Sequence, residues 1–308
     1  MTSASTLGPL NPGNVVSAAL RLCRDRFKTY FGLSLVAVLW ASLPIIGIAI
    51  LAVLLAGLVG PPPVVWAMLL LPCIALVVYG WAKYVMYSGV LARLSFRELI
   101  NEPETPAQAK QQLQPKMWSF LGLAFLLFII FLATYFIVAI GGTIVGAVVG
   151  GVLGYILNAI FGSGGAIFAT VISVILALLG IIFCFVWVFG RVFIAEVPMA
   201  VEARTGAGGG ISRSWQLTKR SVLRIQFVVL AAFLVTLPAY VVIYAVALLP
   251  PFLLPGLEPG SSAYNVFTLV STLVSMAVNI MLMPFWQAIK GVLYYDLRSR
   301  REGLDLTL

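Results

Sequence analysis

Residues 117–140 read MWSFLGLAFLLFIIFLATYFIVAI and contain no charged side chain. The uncharged stretch continues to residue 190, and two similar stretches cover residues 29–82 and 225–289, with Glu258 as the one charge among the three. A helix of about 20 apolar residues crosses a bilayer. Each stretch is therefore long enough for two crossings, and the pattern predicts a multi-pass membrane protein.

The composition supports the same class. The chain has 308 residues, of which 62% are hydrophobic and 9% charged, and its mean hydropathy is +1.08. These values exclude a soluble domain with an aqueous surface. The formal net charge is +9. Because the basic residues flank apolar stretches, this charge predicts contact with anionic lipid headgroups and no nucleic-acid partner.

The nineteen Lys and Arg residues form four clusters that separate the apolar stretches. If each stretch is an out-and-back hairpin, every Lys and Arg lies on one side, which the positive-inside rule names as the cytoplasm. The sequence thus predicts an all-α integral membrane protein with six transmembrane helices in three hairpins and both termini cytoplasmic. We expect a prokaryotic inner membrane or a plasma membrane, and no cleaved signal peptide.

The chain is predicted to be one membrane domain, residues 1–308. Its segments are an amphipathic opening helix (11–29), hairpin 1 (30–83), a cytoplasmic segment (84–116), hairpin 2 (117–190), a second cytoplasmic segment (191–224), hairpin 3 (225–289) and a cytoplasmic tail (290–308).

Two helix starts carry capping signals. Asn14 is predicted to cap the opening helix, begun at Val15. Thr105, with Pro106 after it and Gln108 three residues on, predicts a second start. The opening helix has an apolar face and a basic face. It either lies at the membrane surface or packs under the bundle.

A glycine stripe interrupts hairpin 2. A helix over residues 143–161 would place glycines four residues apart on one face, where another helix can pack closely. A third crossing there would put ten of the nineteen basic residues outside. We therefore predict a re-entrant or surface-lying helix on the non-cytoplasmic side, packed onto neighbouring spans. Self-association and a pore-lining role are the alternatives. The stripe consists of Gly142, Gly146, Gly150 and Gly154.

Two basic amphipathic helices are predicted to contact the lipid surface. One is the opening helix, and the other lies within the second cytoplasmic segment. Their candidate lipid-contacting residues are Arg21, Arg24, Lys28, Arg213, Lys219 and Arg220.

Residues that carry catalysis or cofactors are scarce. The chain has no histidine, and its three cysteines, Cys23, Cys73 and Cys184, are scattered singly. This composition predicts no haem, zinc or copper site and no other cofactor. No phosphate-binding loop is present, and the apolar stretches hold no acid–base pair. We therefore expect the protein not to be an enzyme.

Two motifs resemble a known family. Leu293-Tyr294-Tyr295-Asp296-Leu297-Arg298, followed by residues 301–306 (Arg-Glu-Gly-Leu-Asp-Leu), is similar to the C-terminal signature of the membrane domain that accompanies some glycerophosphodiester phosphodiesterases. Arg213-Ser214-Trp215-Gln216-Leu217-Thr218-Lys219 resembles the cytoplasmic motif before the fifth span of that family. The resemblance implies a membrane module that often stands alone. It does not extend to the phosphodiesterase, which relies on histidines and clustered carboxylates.

Three functions follow as hypotheses. The first is a non-enzymatic membrane scaffold or partner subunit that engages anionic lipid and either another membrane protein or further copies of itself. The second is a small transporter or channel, and the third, less well supported, is an intramembrane lipid enzyme. A polar cavity reaching the bilayer midplane would favour transport, whereas a solid apolar interior would favour a scaffold.

Overall fold

The computed structural model describes residues 11–58, 63–253 and 261–303, and every regular element within these residues is a helix. A 3₁₀ turn, Gln114–Lys116, joins the fourth helix to the fifth. The helices are α1 (Pro12–Asp25), α2 (Phe27–Leu58), α3 (Pro63–Leu99), α4 (Pro106–Leu113), α5 (Met117–Phe161), α6 (Ser163–Val192), α7 (Glu196–Val201), α8 (Ala207–Thr218), α9 (Val222–Leu253) and α10 (Ser262–Glu302).

Six of the described helices are long and apolar enough to cross a bilayer. They are α2, α3, α5, α6, α9 and α10, and this count confirms the predicted all-α membrane class. Consecutive members pack together, α2 on α3, α5 on α6 and α9 on α10. Glu258 and the tail from residue 304 lie outside the described residues.

Long parts of these helices present apolar side chains outward. Leu71 of α3, Ile137 of α5 and Phe168 of α6 are all more than half exposed. In water such a surface would be costly, whereas lipid tails cover it without penalty. The outward faces therefore fit a protein surrounded by lipid.

The buried core lies toward one end of the bundle. Phe96 of α3 and Tyr294 of α10 are buried there, with ring centroids 5.3 Å apart. Val15 and Ala19 of α1 belong to the same cluster, against α9 and α10. Of the two alternatives for the opening helix, this contact agrees with a helix packed under the bundle.

Ion pairs and a hydrogen bond bring the four basic clusters together at this end, which we call the charged end. Arg26, in the first cluster, lies 3.0 Å from Glu98 of α3. Arg93 of α3 donates a hydrogen bond of 2.6 Å to the main-chain oxygen of Ala200 in α7. The third and fourth clusters meet where Glu196 of α7 pairs with Lys290 of α10. Residues far apart in sequence thus share one end of the molecule.

One predicted cap is confirmed and the other is wrong. Thr105 and Gln108 form a capping box around the start of α4, with Pro106 as the first helical residue. The opening helix begins at Pro12, so Asn11, not Asn14, occupies the cap position. Proline favours the first turn because its fixed φ is helical and it has no N–H to leave unpaired.

The separate helix predicted at 143–161 does not form. Instead, α5 runs unbroken from Met117 to Phe161, and the chain reverses at Gly162, where φ is +62°. No proline interrupts this segment, and glycine in a helix costs only about 1 kcal/mol relative to alanine. The 45 residues span about 68 Å, more than twice the roughly 30 Å hydrocarbon core of a bilayer. The glycines therefore lie in the far part of a long helix, beside α6.

Close packing along the whole stripe is also not observed. A Cβ atom built on Gly150 would lie 2.8 Å from Ser173 Oγ of α6, but Gly142, Gly146 and Gly154 have nothing within 4 Å of that position. Helix backbones approach more closely elsewhere. A Cβ atom on Gly80 of α3 would lie 2.3 Å from the main-chain oxygen of Trp40 in α2.

Candidate functional site

A pocket with five cationic residues in its lining opens at the charged end, between the end of α6, the junction of α8 with α9, and the last turns of α10. Its volume is about 820 Å³. We call it the basic pocket, and its five cationic residues are Arg191, Lys219, Arg220, Arg224 and Arg300.

Arg191 forms the buried wall of the basic pocket. It is the next-to-last residue of α6 and is 9% exposed. Its guanidinium carbon lies 4.9 Å from the ring centroid of Trp187 and 5.2 Å from that of Trp215. Two indole faces favour a planar cation. Among the described residues, no group accepts a hydrogen bond from its buried Nε. The arginine is thus held by rings while part of its donor capacity stays unused.

The position of α8 follows from the main chain of Arg191. Its carbonyl oxygen accepts hydrogen bonds from Ser214 Oγ at 2.7 Å and from Thr218 Oγ1 at 3.4 Å. These bonds fix the end of α8 against α6. Lys219 and Arg220 then follow in the short turn before α9, and both are exposed. Neither side chain makes a hydrogen bond or ion pair with the described part of the chain.

The first turn of α9 completes this wall. Ser221, Val222 and Leu223 line the pocket beside Arg224. The N–H groups of a helix's first turn have no partner inside the helix, and the helix dipole places partial positive charge there. A 32-residue helix therefore adds its N-terminus to the cations of the basic pocket.

Asp296 balances only part of this charge. Its buried carboxylate lies 3.0 Å from Arg224 and 3.2 Å from Arg300. One carboxylate thus holds two guanidinium groups in place. Among the described residues, no carboxylate pairs with the other three cations, Arg191, Lys219 and Arg220, so these three give the basic pocket an excess of about three positive charges.

Apolar residues form the side of the pocket that faces outward. Phe183, Trp187 and Leu223 line it, and Phe183 and Leu223 are 68% and 74% exposed. Charged and apolar groups therefore meet at one opening, as they do at the boundary between headgroups and acyl chains.

The predicted lipid-contacting residues divide into three groups. Arg21, Arg24 and Lys28 are exposed at the start of the chain and do not line the basic pocket. Lys219 and Arg220 do line it. The remaining residue, Arg213, directs its guanidinium to two carboxylates.

Arg213 pairs with Glu202 at 3.1 Å and also with Glu302. Burial raises the pKa of Glu202, but hydrogen bonds from Thr205, Tyr294 and Arg213, with the charge of Arg213, outweigh burial and hold that pKa below its usual range. The charge of Arg213 is therefore balanced by carboxylates of the protein itself.

Sequence reasoning missed Arg191 and Arg224 as site residues. Each is the charged residue that borders an apolar stretch, and Arg191 also follows Trp187 by four residues, one turn of helix. The sequence does not show that α6, α9 and α10 are in contact, and this contact places Arg191 and Arg224 around one pocket.

A second groove lies within the apolar region, between α2, α3 and α10, with a volume of about 470 Å³. Ser42 of α2 lines one side. The hydroxyls of Ser42, Thr272 and Ser275 donate to carbonyls of their own helices and keep lone pairs for other donors. The polar residues of α10 that line this groove recur at helical spacing, which is a signal visible in the sequence. They are Thr268, Ser271, Thr272, Ser275 and Asn279.

No group of three or more His, Cys, Asp or Glu side chains placed to hold a metal ion occurs in the described ranges. The three cysteines are half-buried and form no disulfide.

The fold and the charged end define the class of the protein as a multi-pass, all-α membrane protein. No protein-family model, no curated protein sequence and no solved structure matches the chain.

Proposed function

We propose that this chain is a non-enzymatic integral membrane scaffold or partner subunit that engages anionic lipid at the cytoplasmic face of the membrane. The observation that carries the proposal is the basic pocket. Three of its cations, Arg191, Lys219 and Arg220, pair with no carboxylate of the described residues, and it opens beside exposed apolar side chains. An anionic headgroup would satisfy the charges while its acyl chains cover the apolar wall.

The orientation is part of the proposal. The positive-inside rule favours the charged end on the cytoplasmic side, with three membrane hairpins above it, in a prokaryotic inner membrane or a plasma membrane. Both α1 and the end of α10 lie at the charged end, which supports cytoplasmic termini. The part of α5 that carries the glycines would then lie on the opposite side.

Membership of the glycerophosphodiester phosphodiesterase membrane-domain family is also a proposal. Its support is the two motifs, which lie in contact. Arg213 pairs with Glu302, and Arg301 Nη1 donates to the main-chain oxygen of Gln216 at 2.5 Å. Segments that resemble one family's motifs thus form one structural unit at the charged end.

Co-purified lipid tests the proposed function. The protein, purified in a mild detergent, is analysed by native mass spectrometry as wild type and as the double variant Lys219→Gln/Arg220→Gln. The matched control is Lys110→Gln/Arg204→Gln, which removes the same charge at two exposed positions outside the basic pocket. We expect the wild type and the control to retain anionic phospholipid and the pocket variant to lose most of it. Equal retention by all three would contradict the proposal.

The scaffold role predicts a stable partner. The same mild-detergent preparation should contain a second membrane protein or a homo-oligomer in a fixed ratio. A monomeric preparation without a second protein would contradict the scaffold role and would leave only the proposed lipid binding.

Transport is the second candidate, and the hydroxyl-lined groove on α10 favours it. If the groove is a water-filled path, Ser271→Cys and Ser275→Cys should react with a small charged thiol reagent from the aqueous phase. Val270→Cys is the matched control, since its side chain faces outward on the same helix and is 47% exposed. Labelling of both groove variants but not of Val270→Cys would support transport. Absence of labelling at the groove positions would contradict transport and favour the scaffold role.

A further inference from the structure

We infer that the basic pocket is a specific site for one phospholipid whose headgroup carries two phosphodiesters, as in cardiolipin. The inference rests on the proposed engagement of anionic lipid and adds the class of lipid. Basic pockets between membrane helices on the cytoplasmic side are suited to such headgroups.

Charge is the first argument for two phosphates. A single phosphodiester would offset one of about three positive charges, those on Arg191, Lys219 and Arg220, that no described carboxylate balances, leaving the cations to repel one another. A second phosphodiester on the same molecule doubles the compensation without the entropy cost of immobilising a second lipid. The pocket is therefore matched better by a dianionic lipid than by a monoanionic one.

The arrangement of the cations is the second argument, because it offers two different places for an anion. Arg191 is buried between two indole rings and retains an unpartnered Nε, beside the N-terminus of α9. Lys219 and Arg220 are exposed in the turn before that helix. One phosphodiester can occupy the inner position by Arg191, and the other can occupy the outer position by Lys219 and Arg220.

Size and the apolar wall supply the third argument. A volume of about 820 Å³ lies in the range of roughly 300–1,000 Å³ that small-molecule sites occupy. That exceeds what a single phosphate requires. The exposed side chains of Phe183 and Leu223 continue from the cations into the apolar surface, where acyl chains would lie. A soluble diphosphate would leave this wall uncovered.

Fluorescence quenching by lipids with brominated acyl chains tests the inference, because Trp187 lines the pocket. The full chain is placed in nanodiscs of zwitterionic lipid that contain increasing amounts of brominated cardiolipin or of brominated phosphatidylglycerol, compared at equal total negative charge. We expect quenching by cardiolipin to saturate at a charge fraction several-fold lower than quenching by phosphatidylglycerol. Lys219→Gln/Arg220→Gln should abolish this difference, and Lys110→Gln/Arg204→Gln should keep it.

The outcomes separate the two proposals. If the two lipids quench equally at equal charge and the pocket variant weakens both, anionic lipid binding stands and the inference about two phosphates is wrong. If the pocket variant changes nothing, both proposals fail. Soluble pyrophosphate, added at the headgroup concentration, should not reverse the quenching. Reversal would show that the site takes a free diphosphate and would overturn the lipid assignment. Unchanged thermal unfolding of the variants checks that they are folded.

Discussion

Lys290 of α10 forms an ion pair with Glu196 of α7, and both side chains are more than four-fifths buried. The other carboxylate oxygen of Glu196 accepts a hydrogen bond from Ser88 of α3 at 3.1 Å, and the ammonium group lies 5.6 Å from the ring centroid of Phe193. One pair therefore joins three helices where their apolar stretches end. The charge is costly to bury, so the pair stabilises the fold only while both partners are present.

Removal of one partner should therefore destabilise the protein. We expect Lys290→Met to lower the free energy of unfolding by about 3 kcal/mol, because it leaves Glu196 without its cation. Thermal unfolding in detergent measures this loss. Lys28→Met, at an exposed position, should have little effect. The double variant Lys290→Met/Glu196→Leu should recover most of the loss, and a single variant as stable as wild type would contradict the role of the pair.

Glycine positions should differ in their response to a methyl group. Gly80→Ala should destabilise the contact between α2 and α3, because the new Cβ atom would lie 2.3 Å from the main-chain oxygen of Trp40. Gly154→Ala meets nothing within 4 Å and should be neutral or stabilising by up to about 1 kcal/mol, since alanine is the better helix former. Melting temperatures of the purified variants test the contrast. The same loss at both sites would show that the stripe is packed after all.

Acid should remove the contribution of Glu202 to stability. The pKa of Glu202 is lowered in the folded protein, so its carboxylate stabilises the fold above the pKa of the unfolded chain, about 4.3. That contribution is lost as the pH falls through the lowered folded pKa. The stability gap between wild type and Glu202→Gln should be constant near neutral pH and should shrink below about pH 4. Unfolding measured at several pH values tests the sign, and a gap that widens in acid would contradict it.

The sequence predicted the six long helices because hydropathy and charge spacing are local properties of the chain. It could not predict the basic pocket, since Arg191, Arg224 and Arg300 belong to three helices whose contact is tertiary. The glycine stripe also shows that a sequence pattern does not determine a tertiary contact. Its period is visible in the sequence, but close packing depends on how α6 lies beside α5, and only Gly150 is approached.

The cytoplasmic position of the charged end is the central claim, because the hairpin arrangement and the lipid pocket both depend on it. Sided labelling tests it most directly. Single cysteines replace Gln111 at the charged end and Ser163 beside the far turn, both exposed, in a background where Cys23, Cys73 and Cys184 are alanine. A membrane-impermeant maleimide is applied to sealed vesicles of either orientation. We predict that Gln111→Cys is labelled only from the cytoplasmic side and Ser163→Cys only from the opposite side. Labelling of both from one side, or the reverse assignment, would contradict the claim.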